Sequence, residues 1–324
     1  MLTSRCVAVC LLWLAGSVAL PAIAQGRYPD RPVRIVVPYT AGGSADTLAR
    51  TTAERLSATL GQSFVVDNRT GGAGNIGTEM VAHATPDGYT LLLGFIGNLA
   101  IGPSYYAKLP FDAVRDFAPI TELAGVHNML VVHPGVPARD FKEFLAYVKA
   151  NPKKLNFSSA GVASPGHLAG ELLNTAGGLQ MVHVPYKGGS QALTDLLGGH
   201  IQAMFSGGSV LPHVRTGKLL ALASCGAKRS AVMPEVPTIA ESGFSGFEAT
   251  GWFGVLAPVG TPKPVIARLH AETSEMLRTP AVRDRLQHAG FDLVGSTPDQ
   301  FAAYIRSEIA KWSKVVKAAG VKPE

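Results

Sequence analysis

Short apolar runs alternate with helical segments in the first third of the chain. Residues 33–37 (VRIVV), 64–68 (FVVDN) and 89–94 (YTLLLG) have the length and β-branched content of buried strands. Residues 45–59 and 75–83 have the spacing of helices, which Gly61 and Pro86 end. This β-α-β-α-β order predicts a parallel sheet with helices packed on it.

The middle of the chain repeats the pattern. Strands are predicted at residues 155–159, 182–186, 200–207 and 219–224. One helix is expected after Ser164-Pro165, a helix-capping serine followed by a first-turn proline, and Ser190 is expected to cap another. Toward the C-terminus, one helix begins at Thr261-Pro262 and another runs from Pro298 to near Ala319.

Extended segments with turn residues, at 120–132 and 225–255, separate the two blocks. A chain that enters a second domain and returns through two crossings predicts an α/β protein with two lobes, a hinge and a cleft. We place lobe 1 at residues 25–124 plus 247–324 and lobe 2 at residues 125–246. Ligands of open α/β sheets bind at the carboxyl ends of the strands, which here face the cleft.

The N-terminus has the pattern of an export signal. In residues 1–24, Arg5 precedes an apolar run that ends in Ala22-Ile23-Ala24, the small-x-small pattern of signal-peptidase sites. The run is short for a membrane span, and Pro21 interrupts it. No lipid-anchor cysteine stands at the cleavage point, so we expect a periplasmic protein that begins at Gln25.

Composition excludes several classes of protein. The chain has 324 residues, 47% of them hydrophobic and 16% charged, which excludes an extended disordered chain. Cleavage removes two of the three cysteines and leaves Cys225 in an apolar run, where a buried free thiol is expected. The net charge of +6 is scattered, so nucleic-acid binding is not indicated. No close pair of histidines suggests a metal site, and we expect no cofactor.

Two strand-to-helix turns are candidates for anion binding. Residues 38–46 contain Gly42-Gly43, and residues 158–167 are rich in hydroxyls and glycine. Glycines let the backbone approach a ligand, and free amides at a helix start bind anions. The alternative is an ordinary turn with Ser44 or Asp46 as the helix cap. Two such turns, one in each block, favour an anion-binding cleft.

No motif points to catalysis. The chain lacks a phosphate-binding loop, a zinc-protease motif and a hydrolase nucleophile elbow. The G-x-G-x-x-G match at residues 72–77 does not directly follow its strand, so we interpret it as a structural turn. An exported hydrolase with a triad assembled across the fold remains an alternative function.

The chain resembles the Bug receptors, the periplasmic solute-binding proteins of tripartite tricarboxylate transporters. The matching segments include VRIVVPYTAGGSADTLAR, VVDNRTGGAGNIGTE, SAGVASPGHLAGELL and VPYKGGSQALTDLLGGHIQAMF. The resemblance implies a type II Venus flytrap fold, a monomer, no catalysis, and a small carboxylate ligand held between the lobes. The ligand would be a di- or tricarboxylate, an amino acid or an aromatic acid, delivered to inner-membrane transporter subunits. A co-receptor for a membrane sensor is an alternative.

The resemblance also implies a set of ligand-binding residues. The segments that carry it over are the first-lobe turn, the loop after the third strand, the second-lobe cradle, the loop beside that cradle and one helix position. Their residues are Tyr39, Ala41, Gly42 and Gly43; Phe95 and Gly97; Ser159, Ala160, Gly161, Ser164 and His167; Tyr186, Lys187 and Gly188; and Asp195.

Backbone amides and water, rather than a salt bridge, are expected to compensate the ligand charge, with Lys187 secondary. The chain also departs from the family's usual pattern. Ile101-Gly102-Pro103 stands where the family often has Ile-Asn-Pro, and Tyr39-Thr40-Ala41 stands where it often has Phe-x-Pro. The particular ligand therefore does not carry over from the resemblance.

Overall fold

The computed structural model describes residues 28–126, 128–162, 164–186, 188–318 and 320. The predicted signal peptide and Lys187 lie outside these residues. None of the helices within them has the length and hydropathy needed to cross a bilayer.

Eleven strands and ten α-helices make up the regular structure of the described residues. The strands are β1 (Val33–Val37), β2 (Phe64–Asn68), β3 (Thr90–Phe95), β4 (Phe117–Val126), β5 (Met129–Val132), β6 (Asn156–Ser159), β7 (Val182–Pro185), β8 (Ala203–Ser206), β9 (Leu220–Ser224), β10 (Gly251–Pro258) and β11 (Asp292–Leu293). The helices are α1 (Ser44–Leu60), α2 (Asn75–Ala82), α3 (Gly102–Tyr105), α4 (Phe141–Ala150), α5 (Pro165–Gly177), α6 (Gly189–Leu197), α7 (Leu211–Arg215), α8 (Lys263–Arg278), α9 (Pro280–His288) and α10 (Pro298–Ala318).

The first sheet has the order β11-β4-β10-β3-β1-β2. Strands β2, β1 and β3 are parallel, as their β-α-β-α-β pattern predicts. The sheet is nevertheless mixed, because β10 returns from the other lobe and pairs antiparallel with both β3 and β4. Every residue of β10 is buried, as expected for a central strand covered on both faces.

The second sheet has the order β7-β6-β8-β5-β9. Strand β6 is parallel to β7 and β8, and β5 is antiparallel to β8 and β9. The chain passes between the sheets twice, between Val126 and Met129 and again between Ser224 and Gly251. The predicted two-lobed α/β fold is therefore confirmed. The lobe boundaries stay predictions, because the strands fix only where the chain changes sheets.

Local signals at helix starts are partly predictive. Ser164 caps α5 as expected, with its side chain accepting from the amide of His167. The predicted cap at Ser190 is wrong, because α6 already begins at Gly189. Helix α1 also starts without a side-chain cap, since Gly43 precedes it. Helix α4 was not predicted, although Asp140 caps it by accepting from the amide of Glu143.

Cys225 lies where the chain returns toward the first lobe. The Cys225 amide donates to the carbonyl of Asn128, and the amide of Ala249 donates to the carbonyl of Cys225. The Asn128 side chain donates to the carbonyl of Ala249 and so ties the two crossing segments together. The thiol is free and buried, as the sequence predicts, and burial raises its pKa.

Helix α10 packs on the first lobe through a buried polar cluster. Glu308 accepts hydrogen bonds from the indole nitrogens of Trp252 (3.2 Å) and Trp312 (3.0 Å) and pairs with Lys311. Glu122 of β4 is also buried. Desolvation, with the nearby charges of Glu308 and Glu248, raises the pKa of Glu122 to about 7.

Glu122→Gln should stabilise the protein more at pH 8 than at pH 5. The pKa of Glu122 is higher in the folded protein than its unfolded value of 4.5, so its contribution to stability is complete below pH 4.5. That contribution is lost as the pH rises through about 7, because the buried carboxyl group then becomes charged. The glutamine carries no charge, so the melting temperature should rise by about 2–4 °C at pH 8 and by much less at pH 5. Calorimetric melts of both proteins at both pH values check this, and an equal shift at the two pH values would contradict it.

Candidate functional site

Two adjoining cavities lie between the lobes. The larger has a volume of about 550 Å³ and the smaller about 280 Å³. Both are lined by Phe95 from the first lobe and by Ala160, Ser164, Pro165 and Gly189 from the second. The described residues that line them include no Lys, Arg, His, Asp or Glu.

The first-lobe turn is fixed by a buried carboxylate. Asp46 is 4% exposed and accepts from the Gly42 amide (3.0 Å), the Arg50 side chain (2.8 Å) and the Asn68 amide group (3.1 Å). Asn68 also donates to the carbonyl of Tyr39. Asp46 therefore holds both ends of the turn, a role different from the helix cap considered from the sequence. The hydrogen bonds of these three partners hold the pKa of Asp46 below its usual value despite burial.

Asp46→Ala should loosen this turn. Losing the acceptor leaves the Gly42 amide and the Asn68 side chain without their partner, which costs about 1–3 kcal/mol. Hydrogen exchange of the Gly42 amide should become at least about 10-fold faster, because exchange follows local opening. Asp46→Asn is the matched control, since it keeps one oxygen acceptor and should speed exchange less. Unchanged exchange in the alanine variant would contradict the assigned role.

Phe95, the last residue of β3, and the turn that follows it form the aromatic side of the cleft. The centroid of the Phe95 ring lies 4.8 Å from that of Phe253, with the two rings stacked. It lies 5.4 Å from the centroid of the Tyr39 ring, which it meets edge-on. The Asn98 side chain accepts from the Phe95 amide and donates to Thr78, which orders the turn that follows β3. Burial and the neighbouring Tyr106 raise the pKa of Tyr39, so its phenol stays neutral.

Two helices of the second lobe begin at the cavities. Ser164 and Pro165 start α5, and Gly188 and Gly189 start α6; all four line the larger cavity. The first amides of an α-helix have no acceptor within the helix, and the helix dipole places partial positive charge there. A Cβ at Gly189 would meet no atom within 4 Å, so this position opens onto free space. The arrangement suits a small anion.

Ser159, Gly161 and His167 lie behind this wall and line neither cavity. Ser159 accepts from the Gly161 amide (3.1 Å) and contacts His183 Nε2 at 2.7 Å, and the His167 ring stacks on His183 at 3.8 Å. Gly161 has φ +134°, a backbone conformation that residues with a side chain rarely adopt. The need for glycine at this position therefore comes from the backbone conformation and not from contact with a ligand. These residues shape the loop that presents Ala160 and Ser164.

The Ser159–His183 pair bears on the alternative of an exported hydrolase. Ser159 is fully buried, and its hydroxyl is already bonded within the loop. Burial, with His167 beside it, lowers the pKa of His183 to about 3, while burial lowers that of His167 to about 4. A buried serine beside so weak a base does not form an activated nucleophile.

Of the other predicted site residues, some line the interlobe cavities and others do not. Tyr39, Phe95, Gly97, Ala160, Ser164 and Gly188 line the larger cavity. Gly43 lines a smaller hollow beside it, while Ala41 and Gly42 are exposed at the turn. Tyr186 points its hydroxyl at Asp195 (2.6 Å), which raises the pKa of Tyr186 to about 12, and neither residue lines the two cavities.

Several lining residues were not predicted. Those outside every predicted segment are Thr70, Gly71, Ala73, Gly74, Ile101, Gly102, Tyr105, Tyr106 and Gly189. Pro38, Thr40, Val162 and Pro165 also line the cavity and lie within the two predicted turns, although they were not singled out there. Gly189 follows Gly188 at a predicted helix start, and Gly102 was noted as a departure, so both carried a signal in the sequence. The tyrosines carried none, because their direction depends on the turn after β3.

A protein family, related sequences and solved structures all match most of this chain. The family described as "Tripartite tricarboxylate transporter family receptor" matches residues 48–321. Protein BugT of Bordetella pertussis is 37% identical over 321 residues, which cover 98% of each chain. The structure of R. palustris Rpa4515 with adipate has 36% identity and a TM-score of 0.84, and covers 92% of this chain and 100% of that one. The periplasmic binding protein BugD has 36% identity and a TM-score of 0.80 over the same shares.

Proposed function

Because the chain belongs to the tripartite tricarboxylate transporter receptor family, we propose that it captures a small carboxylate between its lobes and delivers it to the membrane subunits of such a transporter. Family membership confirms the resemblance described above and the prediction of a solute-binding receptor rather than an enzyme. Membership also supports the proposal that this chain is exported to the periplasm and cleaved before Gln25.

The observation that carries the proposal is the pair of helix starts at one interlobe cavity. A buried carboxylate without compensation is costly, and the described lining residues supply no charged side chain. The start of α6 supplies amides on one wall instead, and the dipoles of α5 and α6 both place partial positive charge there. At α5, Pro165 has no N–H and the His167 amide already donates to the Ser164 side chain. Hydrogen bonds to a charged group contribute about 1.5–3 kcal/mol each, so a few suffice for micromolar affinity.

Ligand capture would close the cleft. Residues of both lobes line each cavity, so a ligand that contacts both walls binds the closed arrangement better than an open one. The two crossing segments between the sheets are where such a hinge motion would be absorbed.

The direct test of binding is to identify the retained ligand. Mass spectrometry of the gently purified protein should show a small carboxylic acid, and calorimetry should show that this acid rebinds. The neutral amide of the same acid is the control and should bind at least about 10-fold more weakly. Equal binding of acid and amide, or turnover of the bound compound, would overturn the proposal.

Delivery is tested separately in cells. A strain that lacks this receptor should lose uptake of the labelled acid at low concentration, and the restored gene should recover uptake. Unchanged uptake, together with a lost transcriptional response to the acid, would favour the sensor co-receptor instead.

The proposed cleavage site is checked by N-terminal sequencing of the periplasmic protein, whose first residue should be Gln25.

A further inference from the structure

The two lobes touch beside the smaller interlobe cavity, at a point where two glycines meet. Gly208 follows β8 of the second sheet, and Gly290 lies between α9 and β11 of the first lobe. A Cβ built on Gly290 would lie 3.1 Å from the Cα of Gly208, so no side chain separates the two backbones. Gly208 also lines the smaller cavity, which places this contact on the cleft side of the lobes.

The two positions are glycine for different reasons. Gly290 has φ +90° and follows the end of α9, so the turn itself favours glycine. Gly208 is the first residue of a short 3-10 turn, and its φ lies outside the left-handed region, so its own backbone does not call for glycine. A Cβ on Gly208 would, however, lie 2.8 Å from the carbonyl oxygen of Ala289. The approach of the first lobe is therefore what requires glycine at position 208.

Each side of the contact is held in place by its own lobe. The Phe291 amide donates to the carbonyl of Leu286 at the end of α9, and the buried Phe291 ring packs edge-on against Phe253. On the other side, Leu211, three residues after Gly208, is buried in the core of the second lobe. Packed interiors yield little, so a methyl group added at the contact is accommodated most easily when one lobe rotates away from the other.

Such a rotation would open the cleft. The smaller cavity, which Gly208 lines, is also lined by Val126, Asn128 and Gly251 of the two crossing segments, so the contact lies near the hinge. Closing the cavity brings Gly208 toward Ala289, and opening it separates them. Because the contact is near the hinge, a small separation there becomes a larger one at the far end of the cleft.

We propose that Gly208 sets how far the two lobes close, and that it acts as a positioning residue for ligand capture. A side chain at this position holds the lobes apart near the hinge, and a ligand that must contact both walls then binds less tightly. The effect on affinity rests on the proposed function, whereas the effect on the angle between the lobes does not.

The distance between one spin label on each lobe tests the proposal. Ala58 of α1 and Ala146 of α4 are exposed, and these helices connect strands of the first and the second sheet, respectively. Cysteines at both positions can be labelled, while the buried Cys225 is protected. The labelled parent, without acid or with excess adipate, should show a population at the distance that the structure gives. Gly208→Ala should deplete this population in favour of longer distances.

Gly189→Ala is the matched control. Gly189 also lines the smaller cavity from the second lobe, but a Cβ there meets no atom within 4 Å. The alanine therefore adds the same volume without pressing on the first lobe, and it should leave the label distances unchanged. Where adipate binds the parent, calorimetry should show that Gly208→Ala lowers its affinity by about 10-fold.

Equal label distances in the parent and in Gly208→Ala overturn the proposal, and so do equal shifts in the two alanine variants. A parent that never reaches the distance given by the structure overturns it as well. So does a Gly208→Ala variant that fails to fold, because lobe rotation would then not relieve the contact. If no acid binds the parent but Gly208→Ala alone lengthens the distance, the proposed function fails and the role of Gly208 stands.

Discussion

Glu308→Ala should lower the free energy of unfolding by about 2–4 kcal/mol, one of the largest losses expected from a single side chain of this protein. Glu308 is 3% exposed, and one of its oxygens accepts from two indole nitrogens that have been removed from water. Alanine leaves both donors unpaired and a cavity between α10 and β10. Relief of the charge repulsion with Glu122 offsets part of this cost.

Glu308→Gln is the matched control. Its amide oxygen can accept from both Trp252 and Trp312, and Lys311, whose side chain is 29% exposed, can turn to solvent. Denaturant unfolding should therefore place the glutamine variant within about 1 kcal/mol of the parent. If the two variants lose the same stability, the carboxylate charge rather than the indole hydrogen bonds holds α10 in place.

The sequence is most informative where one local cause decides the structure. The run at residues 33–37 matches β1 at both ends, because a short β-branched segment buried on both faces has few alternatives. The cap at Ser164 is predictable because capping depends on neighbours within three residues. Burial of Cys225 follows from its apolar surroundings in the chain. Helix α6 shows the limit, since two glycines before Ser190 allow an earlier start than the cap rule predicts.

The direction of side chains at the site could not be obtained in this way. His167 lies in the first turn of α5, beside residues that line the cavity, yet its ring stacks on His183 behind the loop. Tyr106 lines the cavity because the turn after β3 is a π-helical segment, Gly97–Ile101. No local sequence pattern predicts such a segment. Both outcomes depend on partners that are distant in sequence.

Gly189→Asp should reduce affinity for the carboxylate ligand by at least about 100-fold. Gly189 lines both interlobe cavities at the start of α6, and a Cβ there meets no atom within 4 Å. An aspartate would place a negative charge where the ligand carboxylate is proposed to bind. Two like charges about 4 Å apart repel by about 4 kcal/mol at an effective dielectric constant of 20, which is more than two decades in affinity.

The fold should tolerate this change, because an acidic residue in the first turn of a helix is favourable by about 0.3–1 kcal/mol. Gly189→Asn is the matched control, since asparagine has nearly the same size without the charge. Calorimetry should show the asparagine variant within about 10-fold of the parent and the aspartate variant without measurable binding, while both keep their melting temperature. If the two variants lose affinity equally, the α6 start is a steric boundary of the cleft, and the carboxylate binds elsewhere in it.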